Sequence, residues 1–347
     1  MVSTELNPAF DTPQFGEVSS FGAFGEPKPA TYGRFKGFYT GGVIGSVNQL
    51  QVVLSQFHAT KHKLNGEFTR VQHRVIVDAQ ILRQQRNKLA PHIEAVVLLD
   101  PGHLGNEPAL VYLSYNTKTR QPDPNDLIIV NNHLRMAQSI QPKNLYQLLA
   151  KTKSNGFTVE ILTPSAKQKA ETIEQLFELY KRFNWGRGDV IKILSGANNL
   201  IAVVKDKGMI VSAGMAEMVL VPVENTFLRA AEITEAATLE AYFNRGLYTG
   251  ISTTLLLELR RLSYAREIFS GELDIAFGES NLLSPAVLTI AAYQGRVFST
   301  RTCCELGFPN SGILRQQVPI LGPINSRTGL NDLVVTSITR SALYTLS

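Results

Sequence analysis

Apolar and polar positions fall into the clearest order after residue 156. FTVEILT (157–163) alternates as a strand does, and KQKAETIEQLFELYKRF (167–183) predicts an amphipathic helix with Ile173, Leu176, Phe177 and Tyr180 on one side. NNLIAVVKDKGMIVSAGMAEMVLVPV (198–223) places two apolar runs around a Lys-Asp-Lys-Gly turn and predicts a hairpin. The pattern then predicts a strand over 229–238, a helix over 248–264, a strand over 272–278 and a helix over 284–293. Two short strands are expected near 297–302 and 331–338.

The first part of the chain is less regular. Residues 1 to about 40 are rich in Gly, Pro, Ser and Phe, which argues against regular structure, while Phe10, Phe15, Phe21 and Phe24 suit an arm lying on an apolar surface. Helices are expected over 43–57 and 69–89; Val71, Val75, Leu82 and Leu89 approximate a stripe in the second, although Val75–Val77 is β-branched. Strands are expected at 93–101, 109–116 and 127–130, and a helix at 131–151 interrupted at Pro142. The Ser-Asn-Gly turn at 154–156 marks a boundary, giving an arm (1–40), an N-terminal α/β region (41–153) and a C-terminal region (154–347).

Composition changes this picture little. The chain has 347 residues, enough for two domains, and 44% hydrophobic residues, ordinary for a globular protein. No run approaches ~18 apolar residues, so no membrane span is expected. No basic n-region precedes an apolar h-region at the N-terminus, so no secretory signal is expected. The net charge of +5 favours an anionic ligand such as a nucleotide or coenzyme A. There is no dense Lys/Arg stripe with interleaved aromatics, so the sequence does not point to nucleic acid. Cys303 and Cys304 are adjacent and read as ordinary thiols, which suits a reducing cytoplasm. No histidine follows His133, so acid–base chemistry in the C-terminal half falls to Glu, Asp, Tyr, Cys, Lys or water. His58 and His62 have helical metal-ligand spacing but no third ligand in view, and read as surface histidines; no metal is expected.

Candidate chemistry gathers in AEITEAATLEAYFNRGLYTGISTTLLLELRRL (231–262). Glu232 and Glu235 lie three apart on one strand and point to opposite faces, unless a bulge intervenes. Either is a candidate general base or an ordinary strand carboxylate. Asn244-Arg245-Gly246-Leu247-Tyr248 forms the turn into the helix. The first N–H groups of a helix and its dipole favour a phosphate; Gly246 permits close approach and Arg245 adds charge, though such a turn is also common without a ligand. Tyr248 is either a ligand contact or a core aromatic. Glu279, Ser280 and Asn281 close the next strand, and Ser284 before Pro285 reads as a helix cap. Trp185 reads as a packing residue on the substrate side.

This succession over 156–340 resembles the Gcn5-related N-acetyltransferase (GNAT) family. AEITEAATLEAYFNRGLYTGISTTLLLEL carries most of the resemblance, and GESNLLSPAVLTIAAYQGRVF (278–298) the rest. The first is similar to the bacterial β-lysine acetyltransferase-like branch, where a Glu-bearing strand precedes an Arg-Gly turn and a Leu-rich helix. The resemblance implies a mixed α/β acyltransferase fold with a central, mostly antiparallel sheet flanked by helices. It also implies acetyl-coenzyme A as co-substrate, its pyrophosphate on the N–H groups around Asn244, Arg245, Gly246, Leu247 and Tyr248. The pantetheine arm would pair with the strand ending at Ala237 and Thr238, with Asn281 near the thioester. The family's phosphate turn, Arg/Gln-x-x-Gly-x-Gly/Ala, keeps its central glycine as Gly246, with Phe243 and Tyr248 at its two ends. The helix position where many members carry a thiolate-reprotonating Tyr is Ala291.

The expected function is N-acyl transfer, acetyl foremost, to the primary amine of a small molecule or amino acid, with Glu232 or Glu235 as base. The alternatives are an acyl-coenzyme A-binding regulatory protein on the same fold, and a long-chain acyltransferase whose acyl group the Phe-rich arm shields. Residues 1–150 are candidates for completing the acceptor pocket, for homo-oligomerisation or for a partner.

Overall fold

A computed structural model describes residues 16–17, 31–32, 35–44, parts of 46–55, 70–98 except 90, 108–116, parts of 128–135, 139–265 except 184, 197–198 and 224–225, then 275–281, 298–307, 310–319 and 330–345. The protein is mixed α/β.

In the N-terminal part, β1 (Gly16–Glu17), β2 (Thr31–Tyr32), β3 (Phe35–Ile44) and β4 (Arg70–Asp78) precede the short helices α1 (Ala79–Gln84) and α2 (Arg86–Leu89), then β5 (Ile93–Leu98) and β6 (Pro108–Asn116). Three expectations are corrected here. Residues 35–44 form a strand, although the Gly/Pro-rich arm was expected to lack one to about residue 40 and the helix over 43–57 was expected to begin there. Helical residues occur only from Val47 onward among those described. The front of the 69–89 segment is strand β4, and only Ala79 onward is helical; Asp78 caps α1 by accepting from the Gln80 N–H at 2.7 Å. The β-branched run Val75–Val77 fits a pleated sheet better than a helix. Ile128 is helical and exposed, not part of a strand over 127–130. The strands expected at 93–101 and 109–116 are present as β5 and β6.

The C-terminal part follows the sequence expectation closely. It runs α3 (Leu145–Ser154), β7 (Thr158–Ile161), α4 (Ala170–Tyr180), α5 (Arg187–Ser195), β8 (Asn199–Asp206), β9 (Met209–Val223), β10 (Thr226–Thr238), α6 (Leu247–Tyr264) and β11 (Ile275–Asn281). Then come α7 (Phe298–Glu305), β12 (Asn310–Pro319), β13 (Leu330–Thr339) and α8 (Arg340–Thr345). The segment at 297–302 is therefore helical, not a strand, and β12 has no counterpart in the sequence reading. The helix expected over 284–293, the pair His58/His62 and the four arm phenylalanines lie outside the described residues.

The strands join one sheet in the order β1-β3-β4-β6-β5-β12-β13-β11-β10-β9-β8-β7. The turn at 154–156 is present, with Gly156 at φ 85°, but the sheet does not stop there: Gly312 of β12 pairs with Ala95 of β5. The C-terminal part is a three-layer sandwich. On one face α3 and α6 cover Ala202, Val204, Val211, Ala216, Ala231 and Ile233; on the other α4 and α5 cover Ile201, Val203, Ile210, Ala213, Met215 and Ala237. Alternation along β8 sends neighbouring residues to opposite cores, as a strand buried on both faces requires.

Candidate active site

The site forms where β10 leaves its regular ladder. β10 runs antiparallel to β9 and parallel to β11. The parallel ladder pairs Ala230–Ile233 with Ile275–Gly278 and ends there. Beyond it β11 stays on β13 through Asn281, and β10 stays on β9 through Thr238. Past Ile233 and Gly278, the facing edges of β10 and β11 carry backbone groups that no ladder between these strands uses.

A bulge lies at the same place. Thr234 pairs with Met215 and Ala237 with Ala213, so Glu235 and Ala236 both stand opposite Gly214. Glu235 has φ 52°, a left-handed value uncommon for a residue with a side chain. The bulge reverses the alternation. Ala231 and Ile233 face the α6 side, yet Ala237, which an unbroken strand would send the same way, packs on the α4–α5 side. Gly214, opposite the bulge, lets α6 pack closely: a Cβ there would come within 2.7 Å of Ile251 Cγ2.

The bulged Glu235 comes into electrostatic reach of a carboxylate pair already opposed across the ladder. Glu232 lies between Ala231 and Ile233 and so points to the α4–α5 side, directly across the ladder from Glu217 of β9. Glu232 is 8% exposed. Burial first, and then the negative charge of Glu217, push the Glu235 carboxyl above its ordinary range. The sequence placed Glu232 and Glu235 on opposite faces of an ideal strand and named a bulge as the exception; the bulge is there. Glu217 was not foreseen. Its signal is a lone charge inside the apolar run of β9.

The α4–α5 side also supplies a hydrogen bond. The buried Tyr180 donates its hydroxyl to the Glu235 carbonyl at 2.5 Å, and its ring stacks on Trp185 with centroids 4.9 Å apart. Burial and the Glu235 charge raise the Tyr180 hydroxyl far above its ordinary value, so it stays protonated. At the end of β10 the Ser212 hydroxyl donates to the Ala237 carbonyl at 2.8 Å and shares a 2.7 Å bond with the Thr238 hydroxyl.

The turn into α6 is built from two left-handed residues, Asn244 at φ 62° and Gly246 at φ 75°. Gly246 is the N-cap of the 18-residue α6 and has no side chain to cap it. Among the described residues nothing lies within 4 Å of where its Cβ would project, so the N-terminal end of the helix is open to them on that side. Asn244, Arg245 and Gly246 are exposed, Tyr248 is partly buried, and the Leu247 side chain is sealed in the α3–α6 core. Two guanidiniums flank the turn: Arg245 lies 4.9 Å from the centre of the Tyr242 ring, and Arg182 lies 5.2 Å from that of Phe243. Asn281 ends β11, its backbone paired opposite Leu333; Glu279 and Ser280 pair opposite Val335 and Val334. Ala291 lies outside the described residues.

Other chemistry recedes. Cys303 and Cys304 are buried and form no disulfide, and burial, then Cys303 and Glu305, push the Cys304 thiol up to about 11. A protonated, buried thiol is a poor nucleophile. Among the described residues no group of three or more His, Cys, Asp or Glu is arranged to hold a metal ion, and no helix is long and apolar enough to cross a membrane.

No family model and no curated protein matches the chain. Among solved structures it is similar to the ribosomal-protein-S18-alanine N-acetyltransferase from Escherichia coli, at 16% identity and TM-score 0.35, covering 53% of this chain and 94% of that one. Arabidopsis thaliana NAA60 in complex with acetyl-CoA gives 13% identity and TM-score 0.36 over 53% of this chain and 99% of that one. An aminoglycoside 6'-acetyltransferase type Ii gives 12% and 0.35 over 52% and 96%. At such identities and TM-scores the functional reading rests on the geometry of the site itself.

Proposed function

We propose that the C-terminal part of this chain is an acyl-coenzyme A-dependent N-acyltransferase, moving an acetyl group to the primary amine of a small molecule or amino acid. The observation that carries this reading is the bulge in β10. It brings the raised carboxyl of Glu235 into electrostatic reach of Glu217, just past the end of the parallel ladder.

Each part of the site has a role in the reading. The open N-terminus of α6 and the left-handed Gly246 suit a pyrophosphate, since helix N–H groups and dipole both favour an anion. The unladdered edge of β10 beyond Ile233, through Ala237 and Thr238, offers backbone groups to the amide-bearing pantetheine arm, and Asn281 closes the opposite edge. With Glu217 and Glu232 opposed across the ladder and Glu235 in electrostatic reach of Glu217, this side of β10 is negative, and an ammonium acceptor has the charge that suits it. Glu235, directly or through a water, takes the proton from the ammonium; a carboxyl raised above its ordinary range is suited to that task. The neutral amine then attacks the thioester carbonyl and a backbone N–H of β10 stabilises the oxyanion; as the C–S bond breaks, the proton that the new amide nitrogen sheds passes to solvent and the leaving thiolate takes one up from solvent, so coenzyme A departs as the thiol.

A second reading, a regulatory protein that binds acyl-coenzyme A without efficient turnover, is favoured by one observation. Of the motif residues only Gly246 is kept, and the Arg245 guanidinium lies over Tyr242. Calorimetric titration with acetyl-coenzyme A tests donor binding, and absence of heat overturns both readings. Amine-dependent release of free thiol then separates them: turnover supports the enzyme, and binding without it supports the regulator.

A further inference from the structure

We infer that Tyr180 is the positioning residue of this site: its hydroxyl locks the β10 bulge and so aims the Glu235 carboxyl. The inference rests on the acyltransfer reading above and adds a residue to it.

Glu235 and Ala236 have no register partner of their own, because both stand opposite Gly214. The Glu235 carbonyl therefore falls outside the regular ladder that serves its neighbours, and a partly buried carbonyl without a ladder partner gains from another donor. Tyr180 supplies it at 2.5 Å. The donor is fixed from behind. Tyr180 is 2% exposed, ends α4, and is stacked on Trp185, which leads into α5. Arg187 at the start of α5 lies 5.4 Å from the centre of the Phe177 ring on α4. The α4–α5 connection is thus closed around the phenol, and the phenol holds the bulge.

The backbone at Glu235 makes such a hold necessary. A left-handed φ is disfavoured for any residue with a Cβ, and glycine or asparagine would fit there more easily. Without the Tyr180 bond, the strand would regain a regular ladder or exchange between registers. A regular ladder returns Glu235 to the α6 side, away from Glu217 and the ammonium. Because burial keeps the phenol protonated, the donor persists across the working pH range.

Tyr180→Phe removes one oxygen and keeps the ring stack, so the fold survives. It is expected to lower kcat about 100-fold, the scale of a misplaced catalytic group, with calorimetric affinity for coenzyme A unchanged. In a Glu235→Gln background, the same substitution is expected to cost nothing further, because both act through one carboxyl. Equal losses in both backgrounds, or an unchanged kcat in the single variant, would overturn the inference. Amide hydrogen exchange at Ala236 and Ala237 reads the lock without turnover: faster exchange in Tyr180→Phe supports it, and unchanged exchange removes it. If the wild-type protein transfers no acyl group, the functional reading fails by itself and exchange still judges the lock.

Discussion

β4 and β10 are both central strands of one sheet, and they are built differently. β4 pairs with β6 from Arg70↔Asn116 to Asp78↔Pro108 without a break, and its core of Val77, Ala109, Val111 and Leu113 is aliphatic. β10 breaks register once, carries two glutamates within four residues and leaves its parallel neighbour before it ends. Neither departure helps a sheet: a bulge gives up ladder bonds, and carboxylates opposed across a ladder repel. Register also shifts between β12 and β13, β5 and β6, and β8 and β9, but in β10 the shift falls beside two glutamates, and on the proposed reading that is where the chain spends stability on chemistry. The unbroken β4–β6 ladder marks where it does not.

Substitutions should separate the two strands. The largest effect is expected from Glu235→Gln, which removes the proposed base: kcat for amine acetylation should fall about 10²–10⁴-fold with donor affinity kept. A full-rate Gln variant would move the proton acceptor elsewhere. In the regular region, Leu113→Ala should cost about 2–5 kcal/mol in denaturant unfolding and leave kcat of the folded fraction unchanged. A loss of kcat there would erase the contrast between the strands.

Gly246→Val tests the turn. A β-branched residue at φ 75° carries a strain of about 1–2 kcal/mol, so the dissociation constant for acetyl-coenzyme A should rise roughly tenfold, with β10 chemistry otherwise intact. The smallest effect concerns pH. A folded Glu235 with a raised pKa binds its proton more tightly than the unfolded chain does. Its contribution to stability is therefore retained at low pH and lost as pH rises from the unfolded value through the folded one. Glu235→Gln removes that loss, so its melting temperature should gain on wild type between acid and neutral pH. A gap that does not widen would deny that the carboxyl is raised.

Much of the C-terminal fold is legible because its signals are local. The Lys-Asp-Lys-Gly turn between apolar runs gives β8 and β9, with Lys207 at φ 49° and Gly208 at φ 89°. The Leu-rich stripe after Gly246 gives α6. β4 is harder to read. The alternating set Val71, His73, Val75 and Val77 is interrupted by a polar histidine, and Ile76 adds an apolar residue to the other set. That weakens the period of two, while Val71, Val75, Leu82 and Leu89 also fit helical spacing across the join between β4 and the helices after it.

The site is half legible. Glu232, Glu235 and Gly246 stand out by type and place. The bulge does not, since Thr234, Glu235 and Ala236 include no glycine to announce it. Tyr180 reads as one more apolar residue on an amphipathic face. Its hydroxyl is the clue, because a buried phenol needs an acceptor.

On this reading the irregular end of β10 is an acyl-transfer site whose base is Glu235. The most direct measurement is release of free coenzyme A thiol from acetyl-coenzyme A with pooled primary amines, for wild type and Glu235→Gln side by side. Wild type should release thiol in an amine-dependent way, and the variant should lose nearly all of that release. Equal release by both proteins, or none by wild type at saturating donor, would contradict the assignment.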